Sequence, residues 1–267
     1  MQHILSLSYG KNSIACLGAI EQLGWPLDRI VHAEVLATDT IPADLPPMVE
    51  FKKKADQIIK ERWGIEVEHV RGRLTYEQAF YRVLGGKKRP GEIYGWPIPK
   101  GPYCNSDVKM PSLDKLETKD AIIYVGIAAD EPNRFHVLSA KKISPLVEAG
   151  WRDSDCREWC KKIDLLSPTY ATSNRGGCWF CPNQSVNQLR LLRKNYPDLW
   201  ALMLKWDGDS PVSFRPPQKK KDGTIIPGKT IRDFDRRFEL EDTGIIRPGN
   251  KFLWDYVKSK TTNGGLL

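Results

Sequence analysis

The sequence is short of several things, and each shortage narrows what the chain can be. No run of about 18 apolar residues occurs, so no segment is expected to cross a bilayer as a helix. The opening stretch MQHILSLSYGKNS has no basic region leading into a long apolar one, which is unlike a secretory leader and sets the expectation of a cytoplasmic protein. Only six cysteines are present, and in a reducing compartment they are expected as metal ligands or redox thiols rather than as disulfides. Histidine is scarcer still: His3, His32, His69 and His136 form no His-x-x-x-His pair, and His3 and His32 fall in strand-like segments where a structural role is expected. No internal repeat is visible, and no Ser-His-Asp set can be assembled from spacing.

Charge and apolar content, by contrast, are ample. The 267 residues are 40% hydrophobic and 10% aromatic, enough to bury a core and too apolar for wholesale disorder. The formal net charge of +8 favours anionic partners: nucleotides, sulfate or phosphate groups, or nucleic acid. A solvated basic surface is the simpler reading of the same number.

Read in order, the chain alternates strand and helix. Residues 3–8 form an apolar run, the turn YGKNS follows, and helical periodicity extends from Ile14 to Leu23. Residues 30–38 form a second strand. Pro42, Pro46 and Pro47 then interrupt the chain before a helix from Met48 to Trp63. Ile65–Val70 alternates as a strand does, residues 84–103 form a long Gly/Pro-rich loop, Cys104–Leu116 is helical despite Pro111, and 121–127 is a continuous apolar strand of the kind buried on both faces of a parallel sheet. Helices are expected at 153–163 and 185–206. Residues 208–230 form either a β-hairpin or a mobile basic loop around Lys219, Lys220 and Lys221, and 231–258 hold amphipathic pieces before the tail TTNGGLL. The expected architecture is an α/β, doubly wound, mostly parallel sheet with a Cys-rich helical C-terminal extension. Its expected divisions are an α/β domain over 1–145 that carries the turn described next, a helical segment over 146–207 that carries four of the cysteines and a basic extension over 208–267.

Ser8-Tyr9-Gly10-Lys11-Asn12-Ser13 lies between the first strand and the first helix. Unpaired amides and the helix dipole make such a turn attractive to anions; Gly10 permits close approach, Lys11 adds charge, and the two serine hydroxyls can donate. An ordinary capped helix start is the competing reading. The motif lacks the longer spacing of a Walker loop. Cys178-Trp179-Phe180-Cys181 is a C-x2-C knuckle able to grip one metal or cluster, and Cys156 and Cys160, four apart on a helix, share a face. With Cys104, five candidate ligands exist for four places. Cys16 falls on the apolar face of the first helix and is read as core. Trp159 and Trp179 beside the cysteines, with Trp200 and Trp206, read as packing. If the lysine run pairs with Arg215, Lys229, Arg236 and Arg237, it could track a phosphodiester backbone.

SYGKNS resembles the SGGxDS PP-loop of the ATP-pyrophosphatase superfamily, which includes the phosphoadenylyl-sulfate and adenylyl-sulfate reductases and the sulfur-inserting enzymes of tRNA and DNA. Tyr9 stands where the family has glycine, and Asn12 where it has the aspartate that helps hold magnesium. Ala37-Thr38-Asp39-Thr40 is similar to the reductases' Asp-Thr pair near the nucleotide. The segment Gly126-Ile127-Ala128-Ala129-Asp130-Glu131-Pro132-Asn133-Arg134 is similar to their G-[IV]-R-x-[DE]-[EQ]-S-x-x-R, with Ala128 in place of the first arginine. Cys104-Asn105-Ser106-Asp107-Val108-Lys109, SPLVEAGWRDSDCREWC and Arg175-Gly176-Gly177-Cys178 resemble, in order, the elements around the [4Fe-4S] centre of adenylyl-sulfate reductases and of similar phage and prophage proteins. The resemblance covers roughly residues 1–185.

The resemblance implies an adenine nucleotide alpha-hydrolase-like fold. It implies that ATP or another adenine nucleotide, with magnesium as a candidate companion, is held by Ser8, Tyr9, Gly10, Lys11, Asn12, Ser13, Asp39, Thr40, Gly126, Asp130, Glu131 and Arg134, with Lys11 and Ser13 acting in catalysis. It implies a metal centre on Cys104, Cys160, Cys178 and Cys181, with Cys156 the alternative ligand; four thiolates suit a [4Fe-4S] cluster or zinc. The implied activity is nucleotide-activated sulfur transfer. Sulfonucleotide reduction is the alternative, although no cysteine follows Cys181 to act as that reaction's nucleophile. A nucleotide- or nucleic-acid-binding protein with a structural metal is a third.

Overall fold

The computed structural model describes residues 1–248 except 87, 88, 99–101, 137, 174 and 175. The chain divides into two compact units: Met1–Glu77 with Tyr103–Cys178, and Gln78–Pro102 with the chain from Trp179 onward.

The first unit is built on five parallel strands: β1 (Gln2–Ser6), β2 (Arg29–Glu34), β3 (Val67–Arg71), β4 (Ala121–Tyr124) and β5 (Lys142–Ile143). Their order across the sheet is β3-β2-β1-β4-β5. β5 is only two residues long and carries no periodic signal, which is why the sequence reading lacks it. Helix α1 (Lys11–Leu23) follows β1, and α2 (Pro46–Trp63) follows β2. The two prolines expected to precede α2 are its first residues, since a first-turn amide has no intrahelical partner to lose. Helix α3 covers Tyr76–Phe80. The helical stretch from Cys104 opens as a π-helical turn over Cys104–Lys109, continues as α4 (Met110–Leu113) and tightens to 3-10 geometry over Asp114–Leu116. Two short turns of helix, α5 (Pro132–Phe135) and α6 (Pro145–Glu148), the longer α7 (Asp153–Lys162) and a 3-10 turn over Pro168–Ala171 follow in the unit.

Pleating divides the apolar side chains of the strands between two faces. Leu5, Leu7 and Ile30 join α1, Phe51, Ala55 and Ile59 of α2, and Leu146, Cys156, Cys160 and Leu165 in one core. Ile4, Val31 and Ile123 face the opposite way, against Leu113 and Leu116. Helices therefore flank both faces of an all-parallel sheet, an arrangement compatible with a doubly wound α/β fold. The first unit runs past residue 145, because α7 packs on α1: a Cβ at Gly18 would lie 2.5 Å from the Trp159 indole, so the missing side chain is what lets the helices meet.

The second unit is helical. The single helix expected over 185–206 is two, α8 (Val186–Asn195) and α9 (Pro197–Asp209), because Pro197 cannot continue the first and opens the second. Ser185 and Gln188 close a capping box on α8, as Thr230 and Asp233 do on α10 (Ile231–Asp242). The Gly/Pro-rich loop over 84–103 supplies a core residue: Trp96 is 2% exposed, packed edge-on to Phe214 and Trp206, with its indole N–H donated to Asp207. Trp179 stacks on Trp206 at 5.6 Å, which bears out packing as its role. Strands β6 (Gln218–Lys219) and β7 (Ile225–Ile226) make an antiparallel hairpin, so the hairpin alternative for 208–230 holds. The segment FLWDYV, the end of the 231–258 stretch and the tail lie outside the described residues. No helix among the described residues is long and apolar enough to cross a membrane.

Candidate phosphate-binding loop

Strand β1 has β2 on one side and β4 on the other. The chain proceeds outward from β1 through β2 to β3, then returns across the sheet to β4. Sequence order reverses between β1 and β4, and the carboxyl ends of two such strands are where an open α/β sheet leaves a crevice. The Ser8–Ser13 turn follows β1, and the Gly126–Arg134 segment follows β4. The two meet closely: a Cβ on Gly126 would lie 2.5 Å from the Ser13 nitrogen and 2.7 Å from the Asn12 carbonyl carbon. Gly126, one of the residues the resemblance implies at the nucleotide, is thus required for the approach of the loop's own backbone.

The turn is built from its own hydroxyls. The Ser8 amide donates to Ser13 Oγ at 3.1 Å, the two hydroxyl oxygens are 2.9 Å apart, and Ser13 Oγ donates to the Gly10 carbonyl at 2.9 Å. Ser13 is 4% exposed, and its proton is committed to shaping the turn. Gly10 caps α1 without a side chain, and the first helical bond runs from the Ile14 amide to the Gly10 carbonyl at 3.0 Å. Of the helix's first amides, that of Lys11 donates to the Tyr170 hydroxyl at 3.1 Å. Those of Asn12 and Ser13 donate to no described residue.

Tyr9 is the residue that most separates this turn from a glycine-rich loop. It has a φ of 54°, in the left-handed region, and is fully buried. Its hydroxyl donates to Asp56 on α2 and lies 3.3 Å from His69 Nε2, which is itself 2.9 Å from the other Asp56 oxygen. Burial and the Asp56 carboxylate push the phenol's pKa upward. Next to it, His32 Nδ1 donates to the Leu7 carbonyl at 2.8 Å, so its Nε2 accepts from Lys52 Nζ at 2.8 Å, while Lys52 also pairs with Asp44. Burial first, and then Lys52, push the His32 pKa down to about 3. The structural role expected of His32 is the one it has. His69, Lys52 and Asp56 were not legible as partners of the loop, since they come from separate elements with no motif spacing.

Acidic groups surround the turn. Lys11 is 7% exposed; its ammonium pairs with Asp153 at the start of α7 and lies 3.2 Å from Asn12 Oδ1. Asn12 Nδ2 donates to Glu131 Oε2 at 3.3 Å, and the same oxygen accepts the Ala128 amide at 3.2 Å. Asp130 accepts the Asp153 amide at 3.0 Å. Of the segment after β4, Glu131 therefore comes to the loop, while Asp130 holds the start of α7, whose Asp153 pairs with Lys11. Arg134 turns instead to Glu131, at 2.8 and 3.0 Å, as a mostly exposed pair of small energetic value. Asp39 and Thr40 lie in the turn after β2, where the Thr38 hydroxyl accepts the Thr40 and Ile41 amides. Tyr170 had no signal at all, being 159 residues from its partner Lys11. Asp153 had one, as an aspartate opening a helix.

The thiols expected to form a metal centre have different surroundings. Cys160 and Cys156 are fully buried in the core beneath α1, with Cys16. Cys160 Sγ donates to the Lys11 carbonyl at 3.3 Å, and burial pushes both α7 thiols up to about 12. Cys104 and Cys178 are partly exposed, and both act electrostatically on the buried phenol of Tyr76; Cys181 belongs to the second unit. Among the described residues no group of three or more His, Cys, Asp or Glu side chains is placed to hold a metal ion. On α7, the cysteine face is the one that packs on α1. No family model matches the chain, and no curated protein matches its sequence.

Proposed function

We propose that the first unit binds a nucleotide, adenine-bearing by the resemblance of its loop, with the phosphate or sulfate groups over the Ser8–Ser13 turn. The observation that carries this reading is the pair of Asn12 and Ser13 amides, free of described partners, at the carboxyl ends of β1 and β4 where sequence order reverses. The dipole of the thirteen-residue α1 adds positive potential at the same point.

The carboxylates decide what form of ligand suits the site. Asp153 already neutralises Lys11, and Glu131 holds Asn12, so a bare anion meets negative charge. A nucleotide arriving as its magnesium complex offsets that repulsion and frees Lys11 to turn to phosphate. Neutral Asn12, in the place of the family's aspartate, favours binding over ATP cleavage. Titration calorimetry with ATP, ADP and adenylyl sulfate, each with and without magnesium, tests the reading. Binding is expected to strengthen with magnesium and to weaken on Lys11→Gln substitution. Absence of binding at millimolar nucleotide by the folded wild-type protein overturns it. A pyrophosphate-release assay on the same samples shows whether binding leads to the activation step of sulfur transfer.

A further inference from the structure

The chain from Arg215 to Lys229 in the second unit forms a narrow two-stranded arm rich in positive charge. It carries five cationic side chains, Arg215, Lys219, Lys220, Lys221 and Lys229, against one acid, Asp222. At its base Arg215 and Lys229 pair across the strands through two 2.8 Å backbone bonds. The Arg215 guanidinium is spent as an anchor: it donates to the Pro182 and Gln184 carbonyls and lies 4.8 Å over the Phe234 ring. Arg236 and Arg237, grouped by the sequence with the lysine run, are tied to Glu239 and Glu241, and Arg237 is 4% exposed. The basic patch is therefore not the one the sequence suggests.

What remains is the tip. Gln218 pairs with Ile226 and Lys219 with Ile225, and the turn closes through Lys220 and Thr224. The single acid is used inside that turn, where Asp222 accepts the Thr224 amide at 2.9 Å. Lys219, Lys220 and Lys221 are exposed and have no ion-pair partner among the described residues. Lys219 ends β6 and Lys220 and Lys221 lead into the turn, so the three lysines concentrate charge at the tip of the ribbon. Ile225, opposite Lys219, is 66% exposed.

We propose that this arm binds duplex DNA, entering the major groove as a two-stranded ribbon with Lys219, Lys220 and Lys221 on the flanking phosphates. Seven residues from base to tip reach about 20 Å, more than the groove's depth of about 8.5 Å, and the B-form major groove admits a β-ribbon. Duplex RNA presents a major groove too narrow for it. An anionic membrane is the less suited partner, because one exposed isoleucine is no apolar face to insert.

The test is binding of the full-length chain to a short duplex DNA, a duplex RNA of the same sequence, and phosphatidylserine-containing vesicles, across a fourfold range of salt. Wild type is expected to bind DNA in preference to RNA and vesicles. The triple variant Lys219→Gln, Lys220→Gln, Lys221→Gln is expected to keep the wild-type melting temperature. Its log-affinity against log-salt slope is expected to be shallower by about 2.7, equivalent to a salt response weaker by about 40-fold over that range. An unchanged slope, equal binding of duplex RNA, or tighter binding to vesicles overturns the proposal. These readouts are independent of nucleotide binding by the first unit.

Discussion

The thiol of Cys160 donates to the carbonyl oxygen of Lys11 across 3.3 Å, joining α7 to the first residue of α1. That contact makes the cysteine a support of the Ser8–Ser13 turn. It also explains why the i, i+4 pair on α7 faces the core: Cys156 and Cys160 meet Cys16 there, under the turn they hold.

Thiol accessibility follows directly. Cys16, Cys156 and Cys160 are fully buried and their pKa values are raised by burial, so almost none is thiolate at neutral pH. Reaction of the native protein with a disulfide reagent at pH 7.5 is expected to release signal from Cys104, Cys178 and Cys181 alone, with the other three appearing only on unfolding. Mass mapping of the labelled thiols checks it. Fast labelling of Cys160 in the native state would contradict its position.

Gly126→Ala is expected to destabilise the first unit by about 1–3 kcal/mol, because the added Cβ meets loop backbone that cannot swing aside as a side chain can. Gly176→Ala, with nothing within 4 Å of its Cβ, is the control and is expected to change little. Urea unfolding of both variants gives the comparison, and a neutral Gly126→Ala would show that the loop lies elsewhere.

At Tyr9 two effects oppose each other. Tyr9→Gly removes the strain of a left-handed tyrosine, worth about 1–2 kcal/mol, but empties a buried aromatic site at a cost of about 3–5 kcal/mol. Net destabilisation is expected. Tyr9→Phe keeps the ring and takes one donor from Asp56, costing about 1–3 kcal/mol. A stabilised Tyr9→Gly protein would refute the packing argument.

His32 sets a pH dependence. Its folded-state pKa of about 3 is below the unfolded value of about 6.5, so the unfolded chain takes the proton first as pH falls. The stability it contributes is complete above about pH 6.5 and declines toward pH 3, by about 1.4 kcal/mol for each pH unit at most. Urea midpoints between pH 5 and pH 7.5 are expected to fall more steeply for wild type than for His32→Gln, whose amide oxygen can still accept from Lys52. Parallel curves would mean that His32 takes its proton over the same pH range in the native protein as in the unfolded chain.

The sequence by itself determined the alternation of strand and helix, because period-two and period-3.6 apolar patterns are local, and it placed Ser8–Ser13 at the start of α1 because turn and capping chemistry are local too. It also fixed Cys16 as a core residue and Trp179 as packing. What only the tertiary structure decided is which distant groups meet. Asp153 and Tyr170 reach Lys11 from beyond residue 150, and Asp56 reaches Tyr9 from another helix, because strand order in a parallel sheet is set by crossovers that leave no periodic trace in the chain. For the same reason α7 could be read as a helix with two cysteines on one face, yet the direction of that face was settled by Gly18, whose missing side chain draws the helix onto α1 and turns Cys156 and Cys160 inward.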